Sequence, residues 1–397
     1  MSILKRSTNV AATKDVHEIL NDHDPIRLAF IGGAKTGKTS IVSKVSLGTF
    51  QDTYYPTHKV SPMLINFNAK GKLSRIVLDE HHNSECLQYL VKCDNVLLSP
   101  ILEHGYTLTS KPKLEIVKQD VVIHSSNNYY TLFNYKDELT SDGYTPPHIS
   151  PILIELIDTP SYDPNTVIPF LEASLYNKLD EKSLKNLASE PRKPVNANPI
   201  LVASGASELN GLIDGYFLVY SAVPSYNPPS YNEPESLKST DISKVDFDSI
   251  PGDNTFSLLS TIKNTLDEAW IEYFQFKQSY YQTKESDIFS FKSALKNLWK
   301  DQINVDSEPK EEPLNANPND PLDPNGSPPI WIVCTHANSP LRSPILIENG
   351  AKLSKMWKCG FVAVDNTNDN VDEVIALMVR DILVRQKEQK SKKKANN

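Results

Sequence analysis

Short apolar runs, separated by polar stretches rich in proline, set the rhythm of this chain. Ile26-Arg27-Leu28-Ala29-Phe30-Ile31 has strand length and leads into a glycine-rich turn. Ser40-Ile41-Val42-Ser43-Lys44-Val45 carries no breaker, so a helix is expected to follow that turn. The runs at 63–67 and 74–78 read as the two strands of a hairpin around 68–72. Further buried strands are expected at 152–157, 216–220, 330–334 and 361–364. Leu259, Ile262, Leu266, Ala269, Trp270 and Tyr273 recur on one helical face, which suits ordinary core or, alternatively, a partner surface. A last helix is expected from about Val371, burying Val374, Ile375, Met378 and Ile382. Its acids Asp372 and Glu373 fall in the first turn and Arg385 and Lys387 in the last, as the helix dipole favours. Strands alternating with helices imply an α/β fold, a mostly parallel sheet with helices on both faces.

Between these elements the pattern breaks down. Residues 1–24 are polar and read as a loose leading segment. Residues 80–149 show no clear period, and 163–210 carry helical spacing with prolines at both ends. The stretch 224–234 is a loop by composition. From Asp306 to Pro329 there are seven prolines, six acids and one lysine, a composition with too little to bury for folding. The organisation expected is one α/β domain over 25–384, with insertions near 80–149, 163–210 and 277–329, and a basic tail over 385–397.

Composition narrows the class. The 397 residues are 39% hydrophobic and 23% charged, and 41 Lys and Arg against 49 Asp and Glu leave a formal net charge of −8. An anionic surface disfavours bulk nucleic-acid binding, so any affinity for phosphate has to be local. Cys86, Cys93, Cys334 and Cys359 are too scattered for a disulfide framework. No apolar run reaches the roughly 18 residues of a membrane span, and the first residues lack the apolar core of a signal peptide. A soluble intracellular protein is expected, cytoplasmic and, through the basic tail, nuclear as an alternative.

One place has special backbone needs. Of only 14 glycines, three stand at 32, 33 and 37. Gly32-Gly33-Ala34-Lys35-Thr36-Gly37-Lys38-Thr39 fits G-x-x-x-x-G-K-[ST], between an expected strand and a helix that continues with Ser40. Glycines let successive backbone N–H groups curl around phosphates, and the helix N-terminus adds positive dipole. In such a loop Lys38 reaches the β- and γ-phosphates and the Thr39 hydroxyl ligates Mg²⁺.

Nineteen residues after Lys38 comes Thr57, within Tyr54-Tyr55-Pro56-Thr57. Loop, helix and threonine together resemble the Ras-superfamily small GTPases, whose fold is a P-loop G-domain. The resemblance implies GTP or GDP with Mg²⁺, and Thr57 as the switch I threonine that ligates the metal and senses the γ-phosphate. Leu156-Ile157-Asp158-Thr159-Pro160 looks like the family's D-T-x-G segment ending the third strand, which puts Asp158 beside the metal with Thr39 and Thr57. The strands at 216–220, 330–334 and 361–364 look like its fourth, fifth and sixth. Effector or regulator proteins are the implied partners. Asp79, 22 residues after Thr57, has the spacing of an uninterrupted domain and rivals Asp158. The local sequence favours Asp158.

The chain also departs from the family. Ser161 and Tyr162 stand where a glycine and the water-orienting glutamine are expected, and Ala34 replaces a loop glycine, so weak or absent hydrolysis is implied. Thr335-His336-Ala337-Asn338 replaces N-K-x-D, and Asn338 cannot accept two guanine N–H bonds as an aspartate does. A literal Asn177-Lys178-Leu179-Asp180 lies in a helical pattern and reads as coincidence. His81, His82, Cys86 and Cys93 fit no common zinc spacing. The basic tail is at most a weak peripheral membrane contact, since no cysteine near the C-terminus offers a prenyl site. Three readings follow: a GTP-binding switch or regulator, a pseudo-GTPase scaffold acting through protein partners, and an ATP-using P-loop protein.

Overall fold

The computed structural model describes residues 25–50, 54–107, 113–117, 120–124, 127–134, 144–162, 213–224, 255–268, 270, 321, 323, 326–366 and 371–396. The expectations for 1–24, for 163–210 with its 177–180 segment, and for most of 224–234 and 277–329 lie outside these residues. In chain order the elements are β1 (Ile26–Gly32), α1 (Lys38–Leu47), β2 (Ser61–Phe67), α2 (Lys72–Leu78), α3 (Asn83–Val91), β3 (Val96–Leu97) and α4 (Pro100–Thr107). Then come β4 (Lys113–Val117), β5 (Asp120–His124), β6 (Thr131–Phe133), β7 (His148–Ile149), β8 (Ile152–Asp158) and β9 (Gly215–Ser221). The chain closes with β10 (Ile330–Thr335), α5 (Pro344–Trp357), β11 (Gly360–Ala363) and α6 (Asp372–Asn396). Residues 258–268 are also helical.

Among the described residues, seven strands form one sheet in the order β2-β8-β1-β9-β10-β11-β3. The inner pairs β8/β1, β1/β9, β9/β10 and β10/β11 are parallel, and β2 and β3 run antiparallel at the two edges. Both faces are buried, which is why the inner strands read as unbroken apolar runs. Leu28 and Phe30 enter one core and Ala29 and Ile31 the other; Phe217 and Val219 likewise oppose Leu218 and Tyr220. Phe30 stacks on Phe217 across the central pair with ring centroids 4.7 Å apart. Leu259, Ile262 and Leu266 are buried in the second core and Trp270 is buried as well, so the described part of that aromatic stripe is packing.

The hairpin expected at 63–78 is corrected. Its first strand is β2, but residues 72–78 form α2. Leu73, Ile76 and Val77 are buried at helical spacing against the same core as α6, and Asp372 Oδ2 accepts from the Gly71 N–H and the Ser74 hydroxyl, both at 2.9 Å. An apolar run this short carries no period of its own, and tertiary contacts decide it.

Within 80–149, patternless in sequence, the described residues contribute to the core of the domain. Cys86, Leu90, Leu102, Tyr106, Ile123, Tyr130 and Leu132 join the first core, and β4–β7 form a small antiparallel sheet. The two-residue β3 reaches the far edge of the main sheet, against β11. Helix α6 runs on through Asn396, so the basic segment from 385 is a continuation of that helix and not a separate tail. Residues 374–385 are buried on every side, a wider burial than the single stripe expected. The proline-rich stretch before β10 also gains a fixed end, because Arg385 donates to the carbonyls of Asp323, Gly326 and Ser327. No helix among the described residues is long and apolar enough to cross a membrane.

Candidate functional site

The loop from Gly32 to Thr39 emerges at the carboxyl end of β1, between β8 and β9. The chain leaves β1 toward one neighbour and later returns beside the other, and such switch points open a crevice in parallel sheets. Gly32 is sterically obligatory: a Cβ there would lie 2.1 Å from the Val219 carbonyl oxygen. Lys35 (φ 59°) and Gly37 (φ 85°) take the left-handed conformation that curls the loop. Thr36 pins the curl by donating to the Gly33 carbonyl at 3.1 Å. Helix α1 begins at Lys38 with no side-chain cap and no acid in its first turn, so its leading N–H groups are left for an external acceptor.

Lys38 is buried, and its Nζ donates to the Gly32 and Gly33 carbonyls at 2.9 and 2.8 Å. Burial pulls its pKa down to about 8, against the opposing pull of Asp158. Beside it, the Thr39 hydroxyl donates to Asp158 Oδ2 at 2.7 Å and lies 3.1 Å from the Thr57 hydroxyl. Three oxygen-bearing side chains from α1, the segment before β2, and the end of β8 thus converge. Burial raises the Asp158 pKa, while Thr39, Lys38, Thr57 and the Thr159 N–H favour its charged form. Its second oxygen, Oδ1, is buried with no hydrogen-bond partner. An anionic oxygen left this way next to two hydroxyls is a donor set suited to a small hard cation.

These groups open onto a cleft of about 550 Å³, within the size range of cofactor sites. Ala34, Lys35, Thr36, Gly37, Ser40 and Thr57 line the end at the glycine-rich loop, with Tyr54 and Tyr55 beside them. The Tyr54 ring carries the Lys35 ammonium 5.7 Å from its centroid. His336, Asn338, Ser339, Pro340 and Asp365 line the opposite end. That end is tied to the loop: the Thr335 hydroxyl donates to the Thr36 carbonyl at 2.7 Å, and Asn366 Nδ2 to the Gly37 carbonyl at 3.1 Å. His336 holds φ at 57°, with Nδ1 3.1 Å from the Ser221 hydroxyl and 3.0 Å from that of Thr335. Burial lowers its pKa and so favours the neutral ring, outweighing the opposing pull of Asp365. Sequence reasoning gave no role to His336 or to these tethers. No glycine marks the left-handed position, and the two tethers join residues 299 and 329 positions apart.

Other expected residues lie elsewhere. Ser161 lines the cleft, but Tyr162 turns into the second core, where its hydroxyl pairs with Thr265 at 3.0 Å. Asp79 closes α2 and is not part of the cleft. Its carboxylate accepts from the Tyr144 hydroxyl at 2.7 Å and the His81 N–H at 2.9 Å, and lies 2.9 Å from His82 Nδ1. Burial works against its charge, yet these bonds hold the carboxyl below its usual range. Cys86, in turn, points its thiol at the Ile76 carbonyl, 3.0 Å away, so its contacts are those of packing.

No known protein-family model matches the chain. It is 35% identical over 412 aligned positions to the uncharacterized protein YPR084W of Saccharomyces cerevisiae, an alignment spanning 92% of this chain and 89% of that protein. At that identity over nearly the full length of both sequences, the chain belongs to one family with the yeast protein.

Proposed function

We propose that the chain is a nucleotide-binding, small-GTPase-like switch or regulatory protein that takes GTP or GDP with Mg²⁺ and turns nucleotide over slowly or not at all. The observation that carries this reading is the convergence of Thr39, Thr57 and Asp158 next to Lys38 at the mouth of an uncapped helix. The loop N–H groups and Lys38 suit a di- or triphosphate. Thr39, Thr57 and the partnerless Asp158 Oδ1 would hold the cation, which supplies charge neutralisation at the phosphates. The G-domain reading is further supported by the order of strands around β1 and by β2 running antiparallel to β8.

Slow turnover is supported by the lining itself. No Gln or Glu faces the cleft among the described residues, and Tyr162 is committed to the core. Protein partners suit the adjoining surface, where Tyr54 and Tyr55 at the cleft and Leu64 on the edge strand β2 are exposed. The scaffold reading keeps the same site and dispenses with turnover.

The test is direct. Protein purified without added nucleotide is denatured, and the supernatant is separated by ion-exchange chromatography. A bound or exchangeable guanine nucleotide, lost in Lys38→Ala, is the expected result. Failure of the wild type to take up any nucleotide with Mg²⁺ at high micromolar concentration overturns the reading.

A further inference from the structure

Helix α6 carries basic side chains on one face where they border a second, smaller cavity. Arg380, Lys387 and Lys390 stand at positions i, i+7 and i+10, which share a side of the helix. The cavity of about 40 Å³ lies between them, Glu80, Asn83 and Asn127. That volume exceeds the roughly 10–15 Å³ that one water needs, so two or three waters or one compact anion can occupy it.

Its floor is a buried guanidinium. Arg380 is only 4% exposed and rests 5.5 Å over the Tyr106 ring. One terminal nitrogen donates to Asn83 Oδ1 at 3.2 Å, and the other lies 3.7 Å from Glu80 Oε1. Its Nε is buried with no hydrogen-bond partner. A buried donor left in this state carries a desolvation cost that an anion would remove. Glu80 is the one carboxylate among the described residues that line the cavity, and its Oε1 already accepts from Asn127 Nδ2 at 2.5 Å and the Tyr130 hydroxyl at 3.2 Å. Burial lowers the Lys387 pKa, Glu80 opposes this, and Arg380 adds to it. Exposure rises outward, from buried Arg380 through half-buried Lys387 to exposed Lys390, so the positive charge forms a funnel.

The funnel lies away from the phosphate loop. The adjacent Asp381 bonds Trp331 near the start of β10, and Arg385 holds the segment leading into that strand. The phosphate loop sits at the opposite, carboxyl ends of the strands. We infer that this cavity is a second anion site, which takes one phosphate monoester group against Arg380, with Lys387 in its wall and Lys390 at its mouth. Guanidinium and ammonium groups around a single tetrahedral oxyanion give short, charge-assisted bonds. The monoester belongs either to a soluble metabolite or to a lipid headgroup reached by the basic end of α6.

The test uses the full chain carrying Lys38→Ala, which removes the phosphate loop from the reading. Glycerol 3-phosphate is titrated and followed by ³¹P NMR, with chloride at equal ionic strength as reference. Phosphatidylcholine vesicles with and without a phosphoinositide monophosphate are assayed by co-sedimentation. Saturable binding to either probe is expected, weakened at least tenfold by Lys387→Gln with Lys390→Gln. Lys355→Gln with Lys358→Gln, an equal charge change on α5 and after it, should leave it unchanged. Vesicle binding alone assigns the lipid source, and binding of the soluble ester alone assigns the metabolite. If neither probe binds beyond the chloride reference, or both double variants lose binding equally, the site does not exist. Should Lys38→Ala fail to fold, the same two double variants compared in the wild-type background decide the matter, because only the funnel differs between them.

Discussion

The Thr39 hydroxyl donates to Asp158 Oδ2 at 2.7 Å, although 119 positions separate the two residues. One stands in the first turn of α1 and the other on the last residue of β8. They meet because β1 and β8 are parallel neighbours in register, Phe30 opposite Asp158, and the loop after β1 folds back over the end of that pair. Asp79, closer to Thr57 in sequence, ends a helix on the far side of a different packing problem.

That geometry separates the two aspartates by experiment. Asp158→Asn should reduce the Mg²⁺ dependence of nucleotide affinity by about 10–100-fold, the usual weight of a residue supporting a metal. It should also stabilise the nucleotide-free protein, since burial raises the pKa of this carboxylate and the neutral amide escapes that penalty. Asp79→Ala should do neither and should cost about 1–3 kcal/mol by stranding the Tyr144 and His82 partners. Nucleotide titrations with and without Mg²⁺, alongside thermal melts, read both effects.

Lys38 sets a conflict between stability and binding. Its pKa of about 8 lies below the unfolded value near 10.4. The unfolded chain therefore binds more protons between these values, so holding the charge costs stability at neutral pH, an effect that fades as pH rises through that window. Lys38→Met should raise the melting temperature of the nucleotide-free protein at pH 7, by the equivalent of roughly 1–3 kcal/mol. It should also abolish the stabilisation given by nucleotide. A lowered melting temperature would show that the bonds to Gly32 and Gly33 outweigh burial.

Turnover should be slow. An intact Ras-type site alone hydrolyses GTP at on the order of 10⁻⁴ per second. With Tyr162 in the core and Ala34 in the loop, single-turnover hydrolysis should fall below that rate. Faster cleavage would mean that a residue outside the described segments completes the site.

Base discrimination should be weak. Asn338 lines the cleft where the family resemblance expects an aspartate, and an amide cannot accept two guanine N–H bonds. ATP and GTP should compete within about tenfold, or 1.4 kcal/mol. A thousandfold preference for GTP would assign the missing acceptor to Asp365, which lines the same end, and Asp365→Asn should then erase it.

Asp381 should shape the pH profile of stability. Burial pushes its pKa up to about 7, although the Ser99 hydroxyl and the Trp331 indole both donate to it. The folded state therefore binds more protons than the unfolded state between about pH 4 and 7, and stability falls as pH rises across that window. Asp381→Asn should flatten this fall and leave the protein more stable at pH 8, measured as chemical-denaturation free energies at pH 5, 6, 7 and 8.

The sequence by itself determined the strands and the loop. Residues 26–31, 152–157, 216–220, 330–334 and 361–364 were legible because a strand buried on both faces has to be apolar throughout. The glycine-rich loop was legible because Gly32 meets the Val219 carbonyl and Gly37 needs a left-handed φ, constraints that only glycine meets without strain. Tertiary structure alone decided the rest. Residues 72–78 are helical because α6 and Asp372 hold them so, and no local period distinguishes a buried seven-residue helix from a strand. Residues 80–149 gave no pattern because described apolar positions among them, such as Leu102 and Tyr106, pack into a core shared with α6, hundreds of residues later. His336 entered the cleft through its contact with Ser221, and Tyr162 left it through its contact with Thr265, pairs more than 100 residues apart that a linear sequence does not bring together. A local pattern records the burial of a single element, whereas a site is made of the distances between elements, and those are fixed only when the sheet is assembled.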